Sequence, residues 1–169
     1  MAETLARTEP VPTEPLETGG VTIALDPQMA RYSLRARDAA LLGKVLGGEV
    51  PTKIGTMAGD IICLGPDEWL LRRAPGGNAP QASVAPVSVV DISERQIAIS
   101  IDGPAAIDVM RAGSPLDIER FPIGGARRTI FETVEIVLIR ESETRFVIEC
   151  WRSFAEFVWT LLAKAAHEV

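Results

Sequence analysis

One segment of the chain, residues 87–112, predicts a complete strand–turn–strand–helix unit. At its centre, Ile97, Ile99 and Ile101 alternate with small or polar residues. This period of two is typical of a strand with one buried face. The valines before it predict a preceding strand, residues 91–95 a polar turn, and Gly103-Pro104 the start of a helix that ends at Gly113. The segment therefore favours the α+β class.

The first part of the chain repeats this order of elements. Residues 31–37 alternate apolar with polar, Asp38 is a good N-cap for a helix over residues 39–46, and a hairpin over residues 60–72 follows. In the second part, the corresponding hairpin spans residues 134–150. The shared order predicts two pseudo-repeated subdomains, each an antiparallel sheet backed by helices.

Composition shifts define the expected boundaries. Residues 1–20 are rich in Glu, Thr and Pro, which predicts a flexible N-terminal arm. Residues 74–86 are rich in Pro, Gly, Ala and Ser, which predicts a linker. The rest, residues 21–169, is long enough for a single domain with halves at about 21–73 and 87–169.

The last helix combines a predicted core stripe with an aromatic outlier. Ser153 and Glu156 have the spacing of a capping box. The expected core stripe is Phe154, Phe157, Val158, Leu161, Leu162 and Ala165. Trp159 lies about 130° from the centre of that stripe at 100° per residue, near Ala155 and Ala163. We expect this surface to contact a partner; the alternative is that the N-terminal arm folds over it. Trp69 and Trp151, in strand contexts, are expected in the core.

Charge and composition exclude several function classes. A net charge of −6 argues against a nucleic-acid partner. The chain lacks an apolar run long enough to span a membrane, and its first ten residues lack the apolar core of a signal peptide, so we expect a cytoplasmic protein. Cys63 and Cys150 are expected to be buried free thiols. With His167 as its one histidine, the chain offers no obvious zinc site or general base.

Three segments together resemble one protein family. They are LGPDEWLL (residues 64–71), VDISERQ followed by GPAA (residues 90–106), and RRT through CWRSFAEFVW (residues 127–159). The chain resembles the gamma subunit of heterotetrameric sarcosine oxidase, and more distantly the folate-binding domain of the glycine-cleavage aminomethyltransferase. The wider superfamily carries a D-x-S-x-R/H turn, here Asp91, Ser93 and Arg95, then a strand and G-x-x-A, here Gly103 and Ala106.

The resemblance implies a non-catalytic subunit that assembles with alpha, beta and delta chains. FAD, FMN, NAD and tetrahydrofolate are expected in the partner subunits, which oxidise sarcosine to glycine, and no cofactor on this chain. The folate-dependent transferases carry an acidic pair that includes the catalytic aspartate; the nearest residues here are Glu132 and Thr133. The alternative is an independent folate-binding one-carbon transferase. In isolation, the chain can self-associate through a vacant interface.

Several polar groups have both a functional and a structural interpretation. Asp91, Ser93 and Arg95 form either a ligand site or a turn in which Asp91 accepts backbone N–H groups and pairs with Arg95. Arg127 and Arg128 are either a solvated basic pair or a contact with an anionic ligand or acidic partner.

For three further groups, we expect a structural role rather than a catalytic or ligand-binding one. Glu132 and Glu135 form either a carboxylate pair or, as we expect, solvated acids. Gly124-Gly125 lacks the context of a phosphate loop, and the capping role of Ser153 already explains that residue.

Overall fold

The computed structural model describes residues 8–76, 79–81 and 86–169, which form two antiparallel sheets and three α-helices. In chain order the elements are β1 (Leu16–Thr18), β2 (Val21–Leu25), β3 (Ala30–Ala36), α1 (Ala39–Leu46), β4 (Met57–Ala58), β5 (Ile61–Cys63), β6 (Glu68–Arg73), β7 (Val87–Asp91), β8 (Gln96–Asp102), α2 (Ala106–Arg111), β9 (Ala126–Phe131), β10 (Val134–Arg140), β11 (Arg145–Trp151) and α3 (Ala155–Glu168). A 3₁₀ turn, Arg152–Phe154, leads into α3.

The sheets stack face to face with helices on the outside. The six-stranded sheet has the order β1-β2-β8-β11-β10-β9, and the five-stranded sheet has the order β4-β5-β6-β3-β7. Alternation sends Ile97, Ile99 and Ile101 towards α2 and α3, whereas Ala98 belongs to a smaller apolar cluster between the sheets. Leu42 of α1 joins a third cluster with Leu34 on the outer face of the five-stranded sheet.

The sheets do not divide at the predicted linker. Strand β2, from the first half, pairs with β8 in the six-stranded sheet, and β7, from the second half, pairs with β3 in the five-stranded sheet. The predicted α+β class and paired antiparallel sheets are thus confirmed, but each half lends one strand to the other sheet. Residues 77–78 and 82–85 of the predicted linker lie outside the described residues.

The described part of the predicted N-terminal arm, residues 8–20, contains a strand. Val11 is buried, and β1 extends the six-stranded sheet and packs on α3. Arg152 donates to the Thr8 carbonyl oxygen and lies 3.3 Å from a Glu9 carboxylate oxygen. Residues 1–7 lie outside the described part of the chain. The apolar side chains of Val11 and Leu16 belong to the same core as the buried residues of α3.

Of the two predicted N-caps, one is confirmed and the other is wrong. Asp38 caps α1 as predicted, with its Oδ1 accepting from the Leu41 N–H at 2.9 Å. Within α1, Leu42 is fully buried, and Leu41, Val45 and Leu46 are half-buried. Ser153 does not cap α3, because a 3₁₀ turn precedes the helix and moves its first residue to Ala155.

The buried face of α3 differs from the predicted stripe. Its buried residues are Ala155, Val158, Trp159, Leu162, Ala165 and Ala166, whereas Phe154 and Phe157 are 45% and 48% exposed. The surface expected to contact a partner is thus largely covered within this chain: Trp159 is 9% exposed, Ala155 is fully buried and Ala163 is half-buried. Val11 and Leu16 of the arm belong to the same core as Trp159, as in the alternative expectation. Trp69 is buried as predicted, but Trp151 is 41% exposed.

Candidate functional site

A cavity of about 210 Å³ opens between the two sheets and is the principal candidate site. Ser33 and Leu70 line it from the five-stranded sheet, and Gln96 and Glu149 line it from the six-stranded sheet. The turn between β7 and β8 contributes Arg95 to the lining. Charged side chains from both sheets line the cavity, so their charges determine what it can bind.

A buried glutamate between two arginines lies beside the cavity. Glu149 has no exposed surface, and its carboxylate oxygens lie 2.6 Å from Nε of Arg31 and 2.8 Å from Nε of Arg72. Arg31 also donates to the Met29 carbonyl oxygen. We call Arg31, Arg72 and Glu149 the buried triad. It joins β11 to β3 and β6, so it ties the two sheets together by charge.

A second glutamate between two arginines lies at the exposed side of the cavity. Glu68 accepts from Arg128 at 2.6 and 3.0 Å and from Arg35 at 3.1 Å. The side chain of Glu68 is 14% exposed, whereas that of Arg35 is 54% exposed. The hydrogen bonds from Arg128 hold the pKa of Glu68 below its ordinary value. We call Arg35, Glu68 and Arg128 the exposed triad.

The predicted turn at residues 91–95 is mainly structural. The Asp91 carboxylate accepts from the Ser93 hydroxyl at 2.5 Å and from its N–H at 2.9 Å, and these bonds lower the pKa of Asp91. Arg95 does not pair with Asp91 as expected; its guanidinium lies 4.9 Å from the ring centre of Trp151. The turn therefore fixes Ser93 against β3, where its hydroxyl accepts from the Arg31 N–H, and places Arg95 beside the cavity.

The other predicted site residues are not brought together. Arg128 is bound to Glu68, and Arg127, its neighbour on β9, is exposed. Glu135 is solvated as expected and lies 3.7 Å from Arg128, while Glu132 occupies the turn between β9 and β10 with a φ of 54°. A carboxylate pair of Glu132 and Glu135 is therefore not formed.

The cysteines and the histidine offer little reactivity. Cys63 and Cys150 are buried free thiols, and burial raises the pKa of Cys150 to about 12. His167 lies near the end of α3, 3.4 Å from the Thr18 hydroxyl. Among the described residues, no group of three His, Cys, Asp or Glu side chains is placed to hold a metal ion. None of the helices in that same part of the chain is long and apolar enough to cross a membrane.

Glu149 and Glu68, the carboxylates at the centres of the two triads, are paired with arginines, which favours a structural role for them over a catalytic one. Both oxygens of Glu149 lie within 2.8 Å of a guanidinium nitrogen. The hydrogen bonds from Arg128 lower the pKa of Glu68, so this carboxyl is not poised to exchange a proton near neutral pH. Sequence reasoning missed the buried triad. The available signals were arginines at alternate positions of an apolar strand, and Glu149 inside the apolar run of β11.

The fold is that of the aminomethyltransferases. The glycine cleavage system aminomethyltransferase T from Bartonella henselae superimposes with a TM-score of 0.61, over 86% of this chain and 46% of that one. At 14% identity, the likeness shows the fold alone. The predicted aminomethyltransferase-like architecture is thus confirmed.

Within this class, the chain belongs to the sarcosine oxidase gamma subunit family, whose family model matches residues 34–168. The sarcosine oxidase subunit gamma of Corynebacterium sp. (strain P-1) is 29% identical over 141 residues, 76% of this chain and 70% of that one. The subunit gamma of an Arthrobacter species is 29% identical over 121 residues, 64% and 60% of the two chains.

A solved structure gives the same result. A chain of the heterotetrameric sarcosine oxidase from Corynebacterium sp. U-96, determined in complex with pyrrole 2-carboxylate, superimposes with a TM-score of 0.78 at 26% identity. The match covers 91% of this chain and 87% of that one. The family likeness therefore extends over nearly the whole fold.

Proposed function

We propose that this chain is the non-catalytic gamma subunit of a heterotetrameric, flavin-dependent sarcosine oxidase, and that its role is assembly with the other subunits. The observation that carries the proposal is the match over residues 34–168 to the gamma subunit family. The superposition on a chain of a heterotetrameric sarcosine oxidase supports the same role.

The chemistry of the cleft supports a non-catalytic role. Glu68 and Glu149 are ion-paired, and the Cys150 thiol is protonated at neutral pH because burial raises its pKa to about 12. The folate-dependent transferases carry an acidic pair. At the nearest position in this chain, Glu132 and Thr133 form a turn between β9 and β10. We therefore give Glu68, Glu149 and the Glu132-Thr133 turn structural roles rather than roles in binding a substrate.

We assign the cofactors to the partner subunits. Ligand pockets usually measure about 300–1,000 Å³, and the inter-sheet cavity measures about 210 Å³. FAD, FMN, NAD and tetrahydrofolate are larger than that cavity accommodates, and we place them on the alpha and beta chains, as the family resemblance implies. The delta chain is proposed as the fourth subunit, and the cytoplasm as the location of the complex.

Affinity purification of the tagged chain from its native host tests the proposal. Mass spectrometry of the eluate is expected to identify two flavoprotein chains, with a flavin absorption spectrum and sarcosine-dependent peroxide formation. A colourless, inactive chain that elutes alone would contradict the assembly role. In that case, calorimetric titration with tetrahydrofolate tests the alternative folate-binding function, for which binding in the micromolar range is expected.

A further inference from the structure

Three aromatic side chains form an exposed patch where β11 meets α3. Trp151, Phe154 and Phe157 are 41%, 45% and 48% exposed. The ring centres of Trp151 and Phe154 lie 6.2 Å apart, and Phe157 follows Phe154 by three residues along the chain. We call these three residues the aromatic patch. Clustered exposed aromatics of this size are typical of protein–protein interfaces.

Arg95 adds a positive charge to this patch, close enough to Glu68 to help lower the pKa of that carboxyl but without an ion pair to it. Its guanidinium stacks on Trp151 at 4.9 Å, and its side chain forms no ion pair with any carboxylate in the described part of the chain. Other arginines near the cavity, such as Arg31 and Arg128, are paired with glutamates. A stacked, unpaired arginine is a favoured partner for an external carboxylate.

Gln96 adds an unsatisfied acceptor at the same place. It pairs in register with Trp151 across β8 and β11, lines the inter-sheet cavity and is 7% exposed. Its buried side-chain oxygen has no hydrogen-bond donor among the residues that the structure describes. Buried acceptors are nearly always satisfied, so this one calls for a donor from outside the chain.

We propose that the aromatic patch, Arg95 and the inter-sheet cavity together are the surface through which this chain docks on another subunit, and that the occupant is an acidic loop of that subunit. The loop supplies an N–H group to Gln96, a carboxylate to Arg95 and apolar contacts to the patch. This inference rests on the proposed function and specifies its interface. A cavity of about 210 Å³ suits one or two inserted side chains. Because the chain carries a net charge of −6, an unpaired arginine on this surface is a local site of attraction for an acidic partner.

Variants of the tagged chain in the native complex test the charged and apolar contacts separately. Arg95→Glu and the double variant Phe154→Ser/Phe157→Ser are each expected to lower recovery of the other subunits at least tenfold. The matched controls are Arg120→Glu, at a side chain 88% exposed, and Ile123→Ser, at a side chain 56% exposed. Both controls are expected to assemble like the wild type.

Gln96→Leu separates docking from folding. It removes a buried acceptor that has no partner within the described chain, so the thermal midpoint of the isolated chain is expected to stay the same or rise. Assembly is nevertheless expected to weaken, because the donor on the partner loses its acceptor. A fall in thermal midpoint with unchanged assembly would overturn the role given to Gln96.

Photo-crosslinking identifies the occupant. Benzoylphenylalanine in place of Phe157 is expected to capture a peptide of another subunit that contains aspartate or glutamate, whereas the same probe in place of Ile123 captures none. Capture of a second copy of this chain, or of a peptide without acidic residues, would overturn the proposed occupant. If the wild type assembles and the Arg95 and phenylalanine variants assemble equally well, the docking surface is wrong. If the wild type brings down no other subunit, the proposed function itself fails.

Discussion

The two triads between the sheets have the same composition and different surroundings. In each, one glutamate lies between two arginines and joins the two sheets. The carboxylate of the buried triad is fully enclosed, whereas Glu68 of the exposed triad is 14% exposed and one of its arginines is 54% exposed. The comparison shows that the same three side-chain types contribute differently to the stability of the fold, because burial determines how strongly each ion pair is screened by water.

Desolvation explains the difference. Removing a charge from water is costly, so a buried carboxylate persists only when cations compensate it closely. Glu149 has two such cations within 2.8 Å. In the exposed triad, water screens the same attraction, and the net contribution of a solvated pair to folding is small. We therefore expect the buried triad to govern folding and the exposed triad to tune it.

The largest expected effect is that of Glu149→Gln. The substitution leaves Arg31 and Arg72 buried without a counter-ion, which is expected to lower the free energy of unfolding by about 3–5 kcal/mol. Urea denaturation of the isolated chain measures it. The control is Glu135→Gln, which removes a 61% exposed carboxylate from the same space. A loss below about 1 kcal/mol would mean that the two triads do not differ as described.

Replacing the whole buried triad tests whether its charges stabilise the fold or only compensate one another. The triple variant Arg31→Met/Arg72→Met/Glu149→Leu leaves no buried charge at this position. We expect its free energy of unfolding to be within about 2 kcal/mol of the wild type, and above that of Glu149→Gln. A triple variant less stable than the single one would show that the triad stabilises the fold outright.

In the exposed triad, Glu68→Gln is expected to cost about 1 kcal/mol near neutral pH. Because the pKa of Glu68 is lowered in the folded chain, its contribution is present above the ordinary carboxyl pKa of 4.5 and is lost as the pH falls through the lower folded value. Denaturation as a function of pH is therefore expected to show a shallower acid limb in the variant. Parallel acid limbs would argue against the assignment of this shift to Glu68.

The smallest expected effect is that of Arg35→Gln. The ion pairs of Arg35 with Asp67 and Glu68 are 3.4 and 3.1 Å long, and its side chain is 54% exposed. The change in free energy of unfolding is expected to stay within about 0.5 kcal/mol. Added salt is expected to reduce even that difference. An effect as large as that of Glu68→Gln would show that the exposed triad acts as one unit.

Features with a local cause could be predicted from the sequence. The alternation of Ile97, Ile99 and Ile101 predicted β8, and Asp38 predicted the start of α1, because period and capping depend on residues a few positions apart. The buried position of Trp69 was predicted from its strand context for the same reason. The Asp91–Ser93 turn, too, is held by hydrogen bonds over two residues.

Features that depend on distant partners could not be predicted in this way. The final helix carries apolar residues around more than one face, so periodicity alone did not distinguish buried Trp159 from exposed Phe157. The packing of the N-terminal arm on α3 decided which face is covered. Likewise, Glu149 meets Arg31 across 118 positions of sequence, and no pattern in one strand encodes that pairing.

The exchange of β2 and β7 between the sheets has a consequence for synthesis on the ribosome. Strand β2 leaves the exit tunnel early, but its partner β8 spans Gln96–Asp102, and the centre of that sheet is complete only when β11 has been made. Strands β3 to β6 can pair with one another as soon as residue 73 has been made. At about 5–20 residues per second, however, the edge of β2 that pairs with β8 waits several seconds for its partner. The six-stranded sheet is therefore completed late, and during that interval this open strand edge is a binding site for chaperones.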